Sequence, residues 1–326
     1  MTEPRHADEG AERLVGALLD AAGRDQIRAV LLFGSRMVQA SPDRYSAYDL
    51  VVVVERYRPF YEALVRAGLS SRSPALQSAL NRVLAPNVIA VAPDGWENGP
   101  VAKIMVLEPD AFALELSPRS PDHFLKGRLI QKVAVLHARE DRALAWVEGL
   151  LEEARGGVLG WAGPSLGASF TVTEAGRRML QRSYAAEVRP EAGDRVLEVF
   201  ESQRPFLEAS LTRVLEREVA GGLLARDGER YRFVRPPDAR HERRVRLYFL
   251  RSKARATARW LKHMATFDNW LDYIARKVER RTGMRVEITP WERRLPYLLL
   301  WPKVARVLRA RPAQLRADDR SARGAR

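Results

Sequence analysis

Apolar positions along the chain follow two rhythms. Over 10–23, GAERLVGALLDAAG, they recur at helical spacing and Gly23 supplies a stop, which predicts an amphipathic helix. Residues 27–33 and 49–54 are short runs rich in β-branched residues, bounded by turn residues, and both read as strands. Two helical patterns lie between 58 and 84. Further strands are expected at 88–92, 101–107 and 129–136, with a helix near 109–116. This mixture predicts an α+β (mixed α/β) domain with a mixed sheet over 1–155. From 156 the rhythm changes. GGVLGWAGPSLGAS is glycine-rich and loop-like, helical patterns cover 173–186 and 193–219, and GLLARDGERYRFV (222–234) reads as a hairpin around Asp-Gly. Two helices and a hairpin predict a small winged-helix-like domain over 156–238, closed by RPPD at 235–238. The remainder, 239–326, reads as a basic amphipathic helical region with a disordered end.

Charge sharpens that last division. From Arg240 to the end there are 24 Lys/Arg and 8 Asp/Glu, whereas residues 1–239 carry 31 basic and 33 acidic residues. The overall surplus of +14 therefore belongs to the C-terminal quarter, and it points to a polyanionic partner, nucleic acid or an anionic membrane surface. There is no cysteine, which excludes disulfides, Cys-ligated zinc and a thiol nucleophile. No stretch approaches the roughly 18 apolar residues of a membrane span, and the acidic N-terminus lacks the apolar core of a secretory signal. These features lead to the expectation of a cytoplasmic protein.

Candidate chemistry begins in LLFGSRMVQASPDRYSAYDLVVVV (31–54). Gly34 permits a tight turn after an apolar strand, a following helix offers backbone N–H groups to phosphate oxygens, Ser35 adds a hydroxyl and Arg36 a positive charge. Asp49 opens the next strand, a natural position for Mg²⁺ shared with substrate phosphates. A turn followed by a solvated strand-end aspartate is the plainer reading. Glu55 lies on the same strand face but roughly 20 Å away, too far to share a metal. The five histidines, His6, His123, His137, His241 and His263, show no metal-binding spacing.

An apolar residue, Gly and Ser ahead of a strand-borne acid resembles the signature of polymerase-β-type nucleotidyltransferases, with Ala47 standing where their first carboxylate falls. Three later segments resemble mitochondrial-type phosphatidate cytidylyltransferases (CDP-diacylglycerol synthases). DHFLKGRLIQKVAVLHA (122–138) is similar to their LYxAGRLQKPVKI segment, matching at Gly127, Arg128, Leu129 and Val133. GPVAKIMVL (99–107) is similar to a strand whose lysine falls on Lys103, and QRSYAAEVR (181–189) to a segment whose acid and arginine fall on Glu187 and Arg189. That family also has a single strand Asp. Its aromatic Gly-Val-Tyr segment is missing here, where NVIAVAPDGW stands instead.

The resemblance implies transfer of CMP from CTP to phosphatidic acid, giving CDP-diacylglycerol and pyrophosphate. Gly34, Ser35, Arg36 and Lys132 would bind the nucleotide. Asp49 and Glu187 would hold Mg²⁺, and Asp49, Lys103 and Arg128 would form the catalytic set. It also implies peripheral association with the inner face of a membrane. In the basic region Arg251, Arg255, Arg259 and Lys262 fall on one helical stripe, with Leu250, Ala254, Ala258 and Leu261 alongside. LPYLLLWPKVARVLR (295–309) joins Tyr297 and Trp301 to a cationic stripe of Lys303, Arg306 and Arg309, a pattern suited to anionic lipid. The plainer alternative is that such helices pack on the body with solvated charges. A nucleotidyltransferase with a non-lipid acceptor is the alternative enzyme. A winged-helix nucleic-acid-binding protein is the non-enzymatic one, ranked below lipid because no RNA-binding aromatic signature is present.

Overall fold

The structure, a computed structural model, describes residues 8–38, 47–95, 99–186, 193–267, 288–289 and 291–292. Residues 1–266 form one compact unit and 267–326 a second. The first unit is a mixed α+β fold around a five-stranded sheet. Helix α1 (Glu9–Ala22) is capped by Asp8, whose carboxylate accepts from the Ala11 N–H at 2.9 Å. Then come β1 (Ile27–Phe33), the single turn α2 (Ser35–Val38), β2 (Tyr48–Val54), α3 (Tyr57–Arg66), α4 (Pro74–Val83), β3 (Asn87–Val91), β4 (Ala102–Leu107) and α5 (Pro109–Leu116). The sheet order is β3-β4-β2-β1-β5, with β5 at Ala134–Ala138. β1 runs antiparallel to both β2 and β5, β3 antiparallel to β4, and β2 parallel to β4.

Burial on both faces explains why β1 and β2 read as unbroken apolar runs rather than alternating ones. Val30, Leu32, Leu50, Val52, Ile104 and Val106 pack against Leu14 and Leu18 of α1 and Phe60 and Leu64 of α3. The alternate residues, among them Leu31, Val51 and Met105, point to the other face. There α5 lies on β2, and α7 (Asp141–Gly156) lies on β1 and β5.

Two expected elements differ. The strand predicted at 129–136 is a helical turn, α6 (Lys126–Leu129), followed by a strand only from Ala134. Leu129, Ile130 and Val133 are buried without a ladder, and a short apolar run does not by itself distinguish strand from buried turn. The helix expected over 193–219 is two helices, α10 (Gly193–Ser202) and α11 (Arg204–Ala220). Between them the Gln203 side chain accepts from the Lys132 N–H at 3.1 Å and donates to Gln131 Oε1 at 2.9 Å. The short α8 (Leu159–Ala162) precedes α9 (Val172–Ala185), which is closed at its N-terminus by a Thr171–Glu174 capping box. The hairpin β6 (Leu224–Asp227) and β7 (Arg230–Phe233) turns at Gly228, with φ +59°. Leu159, Phe170, Ala175, Leu215, Leu224 and Tyr231 form a second, smaller core beneath it.

The sequence drew a boundary at 235–238. The structure instead carries α12 (Ala239–Thr266) within the first unit, packed on β3. Its cationic stripe points inward. The Arg255 guanidinium donates to Asp122 Oδ2 at 2.5 Å, and Arg259, fully buried, donates to both Asp122 oxygens at 3.1 and 2.8 Å. Arg259 also bonds the Ala85 carbonyl, and Lys262 bonds the carbonyls of Leu84 and Pro86. The stripe read from spacing as one cationic side of a basic amphipathic helix is therefore, at Arg255, Arg259 and Lys262, a docking stripe. Only Arg251 of the four is exposed.

This buried cluster sets a pH dependence. Burial pulls Asp122 upward, but the hydrogen bonds and charge of Arg259, then Arg255, outweigh it and hold the carboxyl below its usual range. Burial, then the Asp122 charge, pushes Glu115 up to about 7 from 4.5. A group raised in this way stabilises the fold fully below its unfolded value, and that contribution is lost as pH rises through the folded one. Glu115→Gln keeps the protonated shape at every pH. Its urea midpoint relative to wild type should therefore climb between about pH 5 and about pH 8. An offset that stays constant over that range would mean that Glu115 does not titrate there.

Candidate active site

The C-terminal end of β1 and the N-terminal ends of β2 and β4 meet at one edge of the sheet. Phe33 faces Asp49 across the antiparallel ladder, so Gly34 leaves the strand directly beside the Asp49 side chain. Gly34 has φ +81°, and a Cβ there would sit 2.7 Å from Asp49 Oδ2. Any other residue would be strained and would displace the carboxylate. The turn tightens at once, with the Met37 N–H donating to the Gly34 carbonyl at 3.0 Å, and Ser35 opens α2.

On the other side of Asp49, the parallel register with β4 pairs it with Lys103. The two side chains share a face, and Lys103 Nζ lies 3.6 Å from Asp49 Oδ1. They are 28% and 26% exposed, so a ligand can reach both. Tyr48 and Leu50, their β2 neighbours, face the α1–α3 core instead. The result is a backbone turn, a hydroxyl, one carboxylate and one ammonium at the rim of a rigid sheet. Among the described residues no three His, Cys, Asp or Glu side chains gather into a cluster able to hold a metal. The donor set fits Mg²⁺, which is commonly bound by one or two carboxylates with phosphate oxygens completing the shell. Asp49 is the residue that would hold it.

Of the sequence-predicted residues, the structure brings Gly34, Ser35, Asp49 and Lys103 together. Lys132 stands two residues before Ala134, which pairs with Leu32, so it lies at the same end of the sheet. Arg36 turns the other way. Its guanidinium stacks 4.0 Å from the Tyr48 ring centroid and lies 3.3 Å from Asp8 Oδ2, while the Tyr48 hydroxyl donates to Asp8 Oδ1 at 2.7 Å. Burial and then the bond to Asp8 push Tyr48 up to about 12. Arg36 thus ties the Gly-Ser turn to the cap of α1, on the side of β2 away from the Asp49 carboxylate. Arg128 stacks 4.0 Å over the Phe124 ring and donates to the Phe124 carbonyl at 2.5 Å. Its charge adds to burial and to Lys262 and Arg259 in holding His263 down at about 3. Glu55 is engaged by Arg28 at 2.8 Å and Arg139 at 3.1 Å, at the far end of β2. Glu187, Arg189, Tyr297, Trp301, Lys303, Arg306 and Arg309 lie outside the described residues.

Sequence reasoning missed Asp8 and Tyr48. Asp8 carried a readable cap signal ahead of α1, but nothing in the sequence linked it to Arg36.

A protein-family model described as streptomycin adenylyltransferase matches residues 10–64. The matched stretch runs from α1 into α3 and contains Gly34, Ser35 and Asp49. Adenylyltransferases are nucleotidyltransferases, so the match supports nucleotidyl transfer as the class of reaction. It stops short of 99–107, 122–138 and 181–189, the three later segments that resemble the lipid enzymes. No curated protein matches the chain.

Proposed function

We propose that this chain is a Mg²⁺-dependent nucleotidyltransferase whose acceptor is itself a phosphate, with CTP and phosphatidic acid as the substrate pair. The observation that carries the reading is the strand-to-strand pair of one carboxylate, Asp49, with one ammonium, Lys103, beside the Gly34–Ser35 turn. The turn and the Ser35 hydroxyl would hold the β- and γ-phosphates, and Asp49 would hold the metal, with Glu187 as the second carboxylate that the resemblance implies. Bound Mg²⁺ would supply neutralisation of the triphosphate charge. Lys103 adds a positive charge beside it. The acceptor oxygen attacks the α-phosphorus in line and pyrophosphate departs, so positioning and charge supply most of the catalysis. A phosphate monoester with a second pKa near 6 is largely dianionic at neutral pH, so it attacks without a dedicated base. A hydroxyl acceptor would instead have to lose a proton, and the partner that β4 aligns with Asp49 is a cation.

The family match favours a second reading, adenylyl transfer to streptomycin. Purified full-length chain with Mg²⁺ and α-labelled CTP or ATP, offered phosphatidic acid vesicles or streptomycin, separates the two. Labelled CDP-lipid from CTP is the expected product. Labelled streptomycin from ATP would replace the lipid reading, and no transfer from either nucleotide would overturn both.

A further inference from the structure

The outer face of α12 is organised as a surface in its own right. At 3.6 residues per turn, Leu247, Leu250, Ala254, Ala258 and Leu261 fall within an arc of about 80°. The three leucines are 55%, 59% and 59% exposed, and both alanines are exposed. Arg244 and Arg251 border the arc on one side, Arg246 and Lys253 on the other, while Arg240 and Arg243 in the first turns fall on the arc itself, and all six are exposed. Glu242 is the only acidic residue in Ala239–Thr266. The opposite side of the helix is fixed to the body through Val245, Ser252, Arg259 and Thr266. The Ser252 hydroxyl accepts from the His123 N–H at 3.0 Å, and the Thr266 hydroxyl donates to the Val88 carbonyl at 3.2 Å.

We infer that this leucine stripe and its two cationic borders form a docking face for an anionic lipid bilayer. A helix lying in the plane of the interface places its apolar stripe at the acyl boundary, and long cationic side chains on either side reach up to the headgroups. The borders complement a negatively charged surface, where each cation strengthens attachment several-fold. The alternatives fit worse. From Leu247 to Leu261 a nucleic-acid backbone would meet only leucine and alanine along the middle of the face, where phosphates gain nothing. A second copy would bring two rows of arginines together across the contact. The inward cations Arg255, Arg259 and Lys262 anchor the helix by its back, so the face is presented already ordered. Among the described residues no helix is long and apolar enough to cross a membrane. The assignment rests on the lipid reading above and names its partner surface. Its measurement uses no nucleotide, so it fails separately from the transfer reaction.

Full-length chain should sediment with phosphatidylcholine vesicles containing phosphatidylglycerol, should not sediment with phosphatidylcholine alone, and should be released by salt. The L250D/L261D variant should bind at least about tenfold more weakly, and R246E/R251E at least about twenty-fivefold, taking roughly fivefold per cation. The chain has no cysteine, so Leu250→Cys carries a single environment-sensitive fluorophore. Its emission should shift to the blue on anionic vesicles, while the same label at Ala145→Cys, exposed on α7, should not shift. This label reports even where the aspartate variants fold poorly. Wild-type sedimentation of L250D/L261D, an unshifted label at 250, or binding of the chain to duplex DNA in place of vesicles would each overturn the proposal. So would self-association through this face that the leucine substitutions abolish.

Discussion

Asp49→Asn should reduce nucleotidyl transfer by at least about a thousandfold, roughly 4 kcal/mol of transition-state stabilisation. The substitution keeps the shape and removes the charge. Asp49 is the carboxylate that the sheet places against Gly34 and beside Lys103, so in the proposed mechanism the metal-loaded triphosphate would lose its anionic anchor while Lys103 loses its counter-ion. The fold should tolerate the change, because the side chain stands at the sheet rim, open to solvent. Circular dichroism and the urea midpoint should match wild type while labelled product disappears at saturating nucleotide. A residual rate within about tenfold of wild type would move the metal to another carboxylate, Glu187 first, and remove Asp49 from the mechanism.

The second large effect is on stability. Arg259→Met should lower the unfolding free energy by about 3–5 kcal/mol, because it leaves the Asp122 carboxylate buried with much of its compensation gone. Arg259 also supplies the donor to the Ala85 carbonyl and stacks 4.6 Å from the Phe124 ring, so methionine replaces volume but none of the polar contacts. Arg255, itself on Asp122 at 2.5 Å, covers part of the deficit. Adding Asp122→Asn should restore part of the loss, since the stranded charge is then gone, and the double-mutant cycle measures the coupling between the two groups. An urea midpoint unchanged in Arg259→Met would show that the clasp contributes nothing net.

Sequence legibility followed the range of the interactions. β1, the Gly-Ser turn and β2 were readable to within a residue, because β-branched runs bounded by turn residues are a local signal. The fold class, the break at Gly23 and the hairpin at Gly228 were local in the same way. The direction of the α12 stripe was not. Spacing alone shows that Arg251, Arg255, Arg259 and Lys262 share one side of a helix, but Asp122, the acceptor of Arg255 and Arg259, is 133 and 137 residues away from them, and Lys262 reaches the carbonyls of Leu84 and Pro86. Nothing short-range tells a lipid-seeking stripe from one that seeks a buried carboxylate. The contacts of Arg36 were hidden in the same way. Proximity to Gly34 suggested phosphate, whereas Tyr48 and Asp8 occupy its guanidinium. Lys103 was reached only through resemblance to a family, since the parallel register that seats it beside Asp49 is set 54 residues along the chain.

That register has an evolutionary corollary. The spacing between Asp49 and Lys103 is set by adjacent ladder strands about 4.8 Å apart, in the interior of a five-membered sheet, not by any connecting segment. Insertions, deletions or substitutions in the connection from β3 to β4, between 92 and 101, can reshape what is recognised without altering the distance between the two charges. The scaffold can therefore change its clientele while its reactive pair stays fixed.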